Sequence, residues 1–119
     1  MALPARRIAR SFGYAFEGLA TILRTTPNFW LHLLAAGIAL TLSVLLRLPA
    51  SEIALVVLTI ALVLVVEAFN TALEALADVA SPEYHPLIKR AKDISAAAVL
   101  MAAIAALAVA ALLFLPRLF

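Results

Sequence analysis

The sequence predicts an all-α membrane protein with three transmembrane helices and an N-terminal amphipathic surface helix. Three observations carry this reading. Of 119 residues, 66% are hydrophobic and only 13% charged, about half the charge of an average soluble domain. Three stretches are long and apolar enough to cross a bilayer. The segment before them is apolar on one face only. Cysteine is absent, which excludes disulfides and thiolate metal sites. No repeat, linker or low-complexity tail divides the chain, so a single domain over residues 1–119 is expected.

The surface helix is expected over about residues 4–25. Ile8, Phe12, Phe16, Leu19, Ile22 and Leu23 fall within an arc of about 120° at the helical advance of 100° per residue. Arg6, Arg7, Arg10, Tyr14, Glu17, Thr21 and Arg24 take the other face. Such a helix lies in the headgroup plane with its arginines toward phosphates. A plain membrane anchor has the same pattern. Tyr14, an aromatic ring on the polar face, adds a surface on which a base can stack.

The first span is expected over about 27–47, since Arg24 and Arg47 bracket 22 residues without formal charge. This exceeds the roughly 20 residues that a hydrocarbon core of about 30 Å requires. A cleaved signal peptide is not expected, because the apolar run begins late, is long and lacks a small-residue cleavage pattern. The second span, about 52–80, is unusual. Ile53 to Val66 is uncharged for only 14 residues, so spanning length requires the helix to continue through Glu67, Asn70 and Glu74. Two prolines in Ser81-Pro82-Glu83-Tyr84-His85-Pro86 then stop it and set a turn. The third span, about 87–115, carries Lys89, Arg90, Lys92 and Asp93 in its first turns and 23 uncharged residues before Arg117.

Seven of the nine basic residues (Arg6, Arg7, Arg10, Arg24, Lys89, Arg90 and Lys92) fall on one side of this topology; Arg47 and Arg117 fall on the other. By the positive-inside rule the N-terminus and the loop between the second and third spans face the cytoplasm. The expected location is the cell membrane, with the working end in the cytosol.

Glu67, Asn70, Glu74 and Asp78 are spaced by three, four and four residues. On a helix they project at about 0°, 300°, 340° and 20°, one stripe some 80° wide with Thr71 beside it. Ala68, Leu73 and Leu76 lie on the other side and suit lipid or neighbouring helices. Measured from Ile53, Glu67 is about 21 Å along the helix, roughly 9 Å inside the boundary of the hydrocarbon. Asp78 emerges at the interface. A carboxylate at mid-membrane costs about 2.5–3.5 kcal/mol on insertion scales, so it faces a protein interior and has a task. Asn70 alone reads as interhelical glue and Glu67 alone as half of a structural ion pair; four polar groups in one register read as a site. Lys92 and Asp93 stand at the same interface, beside Glu74 or Asp78, where a lysine suits phosphate oxygens.

No G-x-x-x-x-G-K-[ST] loop and no H-R-D or D-F-G signature occurs, and the chain holds only three glycines. The usual phosphate cradles are therefore excluded. The carboxylate stripe and Lys92 still offer what phosphoryl transfer needs: a metal ligand, a cation and a base. His32 and His85 stand apart and do not form a zinc site.

From Glu67-Ala-Phe-Asn70-Thr71-Ala-Leu-Glu74-Ala-Leu-Ala-Asp78, through Glu83-Tyr84-His85, to Ala91-Lys92-Asp93, the sequence resembles the prokaryotic diacylglycerol kinase/undecaprenol kinase family. The likeness runs from Arg7 and Tyr14 to Leu115-Pro116-Arg117. Asn28-Phe29 with His32, and Ser81-Pro82 with His85-Pro86, look more like the undecaprenol kinase branch. The resemblance implies a homotrimer of three-span protomers that binds ATP with Mg2+ between protomers at the cytoplasmic interface. It implies Glu67 as general base on a lipid hydroxyl, with Asn70 beside it, and Glu74 as magnesium ligand. Lys92 would contact phosphates, supported by Asp78 and Asp93. Arg7, Arg10 and Tyr14 would hold ATP, with Glu83 and His85 near the adenosine. One position departs from the pattern. Thr26 stands where the family usually has a glutamate that shares metal binding, so a neutral oxygen or a water replaces a carboxylate there.

The function expected is ATP-dependent phosphorylation of undecaprenol to undecaprenyl phosphate, with diacylglycerol as the alternative acceptor. The rival from another class is a non-catalytic membrane module or proton-relaying oligomer, which has no use for Lys92. No nucleic-acid partner is expected.

Overall fold

Every helix starts on or just after a proline. The computed structural model describes residues 4–119 and contains four helices: α1 (Ala5–Thr25), α2 (Pro27–Leu45), α3 (Ala50–Ala80) and α4 (Pro86–Leu118). Pro4 and Pro49 occupy the N-cap positions of α1 and α3, and Pro27 and Pro86 open α2 and α4. Proline fits there because its fixed φ is helical and the amide hydrogen it lacks would have no partner in the first turn.

The corner between α1 and α2 is one residue wide. Thr26 is extended at φ −119°, ψ 92°, as a residue preceding proline prefers. Its amide donates to the Ile22 carbonyl at 2.9 Å. Across the same corner, Trp30 Nε1 on α2 donates to the Leu23 carbonyl on α1 at 2.7 Å.

A tight hairpin joins α2 to α3. Arg47 is left-handed at φ 55°, and no other non-glycine among the described residues has positive φ. The Leu48 amide reaches the Ser43 carbonyl at 3.0 Å and the Arg47 amide reaches Val44 at 3.1 Å, which is the Schellman pattern of helix termination. Arginine in this position costs about 1–2 kcal/mol relative to a right-handed residue. Leu48, buried under the turn, supplies the apolar contact that accompanies the motif.

At 1.5 Å per residue, α2, α3 and α4 are about 28, 46 and 50 Å long, from 19, 31 and 33 residues. All three are long and apolar enough to span a membrane. α3 and α4 outrun a hydrocarbon core of about 30 Å by some 16–20 Å. The surplus is polar, and on both helices it lies at the 81–85 loop, where Glu74, Asp78, Lys89, Arg90, Lys92 and Asp93 cluster. That end is called the polar end below. Outward side chains such as Trp30, Leu34, Val57, Leu58, Leu100 and Leu112 are more than half or nearly half exposed, a surface that fits lipid rather than water.

α3 and α4 share the largest interface, α2 leans on α3, and α1 touches α2. No α1 residue is buried; Phe12 and Phe16 are 63% and 67% exposed. The amphipathic surface helix of the sequence is thus present, with its apolar face uncovered by protein. Core packing concentrates at the end opposite the polar one, where Leu48, Val56, Leu113 and Phe114 are buried together. Beside this cluster, Arg117 Nη2 stands 2.8 Å from Glu52 Oε2, an ion pair whose geometry falls short of a hydrogen bond to that buried oxygen. The second guanidinium nitrogen, Nη1, donates to the Leu113 carbonyl at 2.9 Å. The helix thereby passes Pro116 and runs to Leu118, beyond the span limit of about residue 115 read from the sequence.

The Arg117–Glu52 pair ties the start of α3 to the end of α4 and leaves a buried oxygen if it is broken. Arg117→Ala is expected to destabilise the protein by about 1–3 kcal/mol, read as a lowered thermal midpoint in detergent with no change in nucleotide affinity.

Candidate functional site

The stripe expected on the second span is present on α3, and two neighbouring helices give it partners. Glu67 is its deepest member, 3% exposed, seventeen residues and about 26 Å from the start of α3. Its Oε2 lies 3.4 Å from His32 Nε2 on α2. One turn further, Asn70 Oδ1 accepts a hydrogen bond from Ser95 Oγ of α4 at 2.8 Å. At the polar end, Asp78 Oδ1 pairs with Lys92 Nζ of α4 at 2.9 Å. Glu74, between them, is exposed and lies within electrostatic reach of Lys92. Helical spacing aligns the four residues on α3, and α4 docks along that line.

Thr71 sits beside the stripe. Its hydroxyl donates to the Glu67 carbonyl one turn back at 3.0 Å and lies 3.4 Å from the hydroxyl of Thr26. Thr26 is buried, so the corner between α1 and α2 is inserted against α3 between the levels of Glu67 and Glu74. The side chain at position 26 is thereby next to the stripe.

The remaining expected site residues are placed less centrally. Asp93 pairs with Lys89 at 2.6 Å, four residues earlier on the same helix, with both side chains more than half exposed. It makes no ion pair with α3. His85 uses Nδ1 to accept the Leu87 amide at 3.1 Å, which caps α4. Ser81 Oγ donates to the Glu83 carbonyl at 2.7 Å, shaping the loop and leaving the Glu83 carboxylate exposed. Arg7, Arg10 and Tyr14 lie on α1; among the described residues no hydrogen bond or ion pair links their side chains to the stripe.

Two contacts of the stripe, Ser95 with Asn70 and His32 with Glu67, were not foreseen from the sequence. Ser95 follows Lys92 by three positions, one helical step along the α4 face that meets α3, and that spacing was the available signal. His32 had no such signal, because its partner is on another helix in a register that no periodicity encodes.

Below Glu67, toward the opposite end, α2, α3 and α4 line a half-open apolar cavity of about 320 Å³. His32 lines it together with Ala36, Val63, Ala103 and Ala106, and Phe114 lies at the far end. The site therefore joins three environments along one axis: a hydrocarbon-lined space, a buried carboxylate, and a wet end with acids and a lysine. Among the described residues no three His, Asp or Glu side chains converge as a preformed metal site. The oxygen donors available near the interface are the Glu74 carboxylate, the Asn70 amide and the hydroxyls of Thr26 and Thr71. A set with one carboxylate suits a hard cation that keeps several waters and is shared with substrate phosphates.

Comparison with known proteins identifies the family of the chain. A family profile for prokaryotic diacylglycerol kinase matches residues 13–114. The chain is 43% identical over 109 residues to a diacylglycerol kinase of Synechocystis, covering 91% of this chain and 62% of that protein. It is 36% identical over 112 residues to an undecaprenol kinase of Bacillus subtilis, covering 94% and 91% of the two chains. A diacylglycerol kinase of Escherichia coli K12 is 36% identical over 100 residues, covering 84% and 82%. The chain thus spans less than two thirds of the Synechocystis relative and most of the other two.

The Ser95–Asn70 bond holds α4 against α3 at the level of the site. Ser95→Ala is expected to cost about 0.6 kcal/mol and at most about 1.7 kcal/mol, the average and upper limit for interhelical hydrogen bonds in membranes, measured by reversible unfolding in mixed micelles.

Proposed function

The chain belongs to the prokaryotic diacylglycerol kinase family, a family of membrane lipid kinases, and we propose that it transfers the γ-phosphate of ATP to the hydroxyl of undecaprenol. The observation that carries the reading is Glu67, a carboxylate 3% exposed on a membrane-spanning helix, in line with acids and a lysine at the polar end.

In this reading Glu67 takes the proton of the lipid hydroxyl as its oxygen attacks the γ-phosphorus. The bond from phosphorus to the bridging oxygen breaks and ADP leaves. Asn70, fixed by Ser95, sits one turn away to orient the acceptor. Lys92 holds phosphate oxygens. Its pair with Asp78 involves side chains 39% and 69% exposed and is weakened by solvent, so the ammonium exchanges readily between carboxylate and phosphate. Asp78 holds that lysine in place, and Asp93, paired with Lys89, supports the nucleotide site beside it. Arg7, Arg10 and Tyr14 close over the nucleotide from α1, and Glu83 and His85 stand by the adenosine. Mg2+, when bound, neutralises charge on the phosphate oxygens. Glu74 would hold it, with Thr26 offering a neutral oxygen where the family resemblance implies a second carboxylate.

The site so described is open on one side. A single chain leaves Glu74 and the polar face of α1 exposed, which supports a homotrimer with shared sites. Seven of nine basic residues at the polar end support a cytoplasmic orientation in the cell membrane. Diacylglycerol is the second reading, favoured by the 43% identity to a protein of that name. Both acceptors present one hydroxyl above a hydrocarbon body, and the apolar cavity beneath Glu67 suits either.

The test is a panel of lipid alcohols with labelled ATP and Mg2+ on purified protein in detergent. Undecaprenol should be phosphorylated with the highest kcat/KM, and Glu67→Gln should lose at least about 10²-fold, since a general base typically supplies 10²–10⁴-fold. Preference for diacylglycerol would replace the acceptor, and a Glu67→Gln enzyme of normal activity would remove the base. Glu74→Ala is expected to shift the Mg2+ titration of activity to higher concentration, whereas an unchanged titration would place the metal elsewhere.

A further inference from the structure

A carboxylate withdrawn this far from water needs a neighbour to hold it. Among the described residues the Glu67 carboxylate has one charged or ring-nitrogen neighbour, His32 Nε2 at 3.4 Å, and accepts no side-chain or backbone hydrogen bond. The ring in turn has no hydrogen-bond partner elsewhere. Its other surroundings are apolar, because His32 lines the 320 Å³ cavity with alanines, valines and leucines from α2, α3 and α4. Each group is thus the other's principal polar neighbour, and they sit on different helices.

That arrangement suits a base more than a structural brace. A glutamate has three side-chain torsions, so a carboxylate without a partner takes several positions. A proton acceptor has to meet the hydroxyl in one of them, and misplacement by about 1 Å costs on the order of 10²-fold in rate. An imidazole carrying a proton on Nε2 donates to one carboxylate oxygen and leaves the second for a substrate hydroxyl. His32 Nε2 stands 3.4 Å from Oε2, a contact whose geometry falls short of a hydrogen bond and which a small rotation of the ring or the carboxylate would close. The position of α2 against α3 that brings it there is fixed nearby by Thr26 against Thr71 at 3.4 Å.

We propose that His32 is a positioning residue for phosphoryl transfer, its ring holding Oε2 of Glu67 so that the other oxygen faces the lipid hydroxyl. The proposal rests on Glu67 being the base, and the experiment separates the two. Full-length protein in detergent is assayed with Mg-ATP and undecaprenol, reading kcat and both KM values for His32→Ala, His32→Gln and His32→Asn, alone and with Glu67→Gln. His32→Ala should lower kcat about 10–100-fold with KM for ATP unchanged. His32→Gln, whose amide reaches Oε2, should recover most of the rate, and His32→Asn, one methylene shorter, should not. In the Glu67→Gln background the loss of His32 should add less than about twofold, since groups acting as a unit are not additive.

A brace that only holds α2 against α3 would lower the thermal midpoint and affect all three variants and both backgrounds alike, and that result overturns the proposal. So does a His32→Ala enzyme with normal kcat, or one that does not fold while Gln and Asn behave the same. If Glu67→Gln itself keeps normal activity, the base assignment falls and takes this proposal with it. If Glu67→Gln is inactive and His32→Ala is normal, only the positioning role is lost.

Discussion

The rest of the structure depends on keeping one carboxylate, Glu67, away from both water and lipid. The cost of a charged group in hydrocarbon is avoided only if other helices enclose it, and a single helix pair does not close the circle. α4 covers the stripe from one side through Ser95 and Lys92. α2 covers it from the other through His32 and, at the corner, Thr26. Thr26 is extended partly because Pro27 follows it, so the placement of the surface helix and the enclosure of the carboxylate have a common cause.

The two ends of the bundle solve different problems. At the far end the chain is packed with Val56, Leu48, Leu113 and Phe114 and tied by Arg117 to Glu52. At the polar end Phe29 and Ala77 are buried apart from that cluster, and the ion pairs there are exposed. Stability therefore lies where no chemistry is proposed, and exchangeable charge lies where phosphate would arrive. Local opening free energies in proteins follow such differences in burial. Side chains at the polar end can rearrange around a ligand without disturbing the core that sets helix register.

The helices were legible in the sequence because the information is local. Charge-free length marks the spans, a one-faced apolar arc marks α1, and two prolines mark the turn between the second and third spans. The alignment of Glu67, Asn70, Glu74 and Asp78 was legible for the same reason, as a property of one helix. What lay beyond reach was register between helices. Whether α2 presents His32 to Glu67 or Leu31 to Val66 depends on a hairpin whose turn puts an arginine in a left-handed position, which no propensity favours. Lys92 meeting Asp78 was readable from shared depth. Ser95 meeting Asn70 was a step further along the same face and was missed. Asp93 was expected at the nucleotide site on the strength of resemblance; an intrahelical Lys89 four residues away satisfies it in the isolated chain.

The corner at Thr26 has a consequence for how much of the fold belongs to the protein. α1 contributes no buried side chain, and its attachment consists of one extended residue, a proline and the Trp30 indole bonded to the Leu23 carbonyl. Nothing on the protein side fills the space under Phe12 and Phe16. A headgroup layer is the surface that fits such a one-faced apolar helix, and a bilayer of different curvature or packing would then tilt α1 without disturbing the core. One helix of four thus owes its position to what lies outside the core rather than to side chains packed within it.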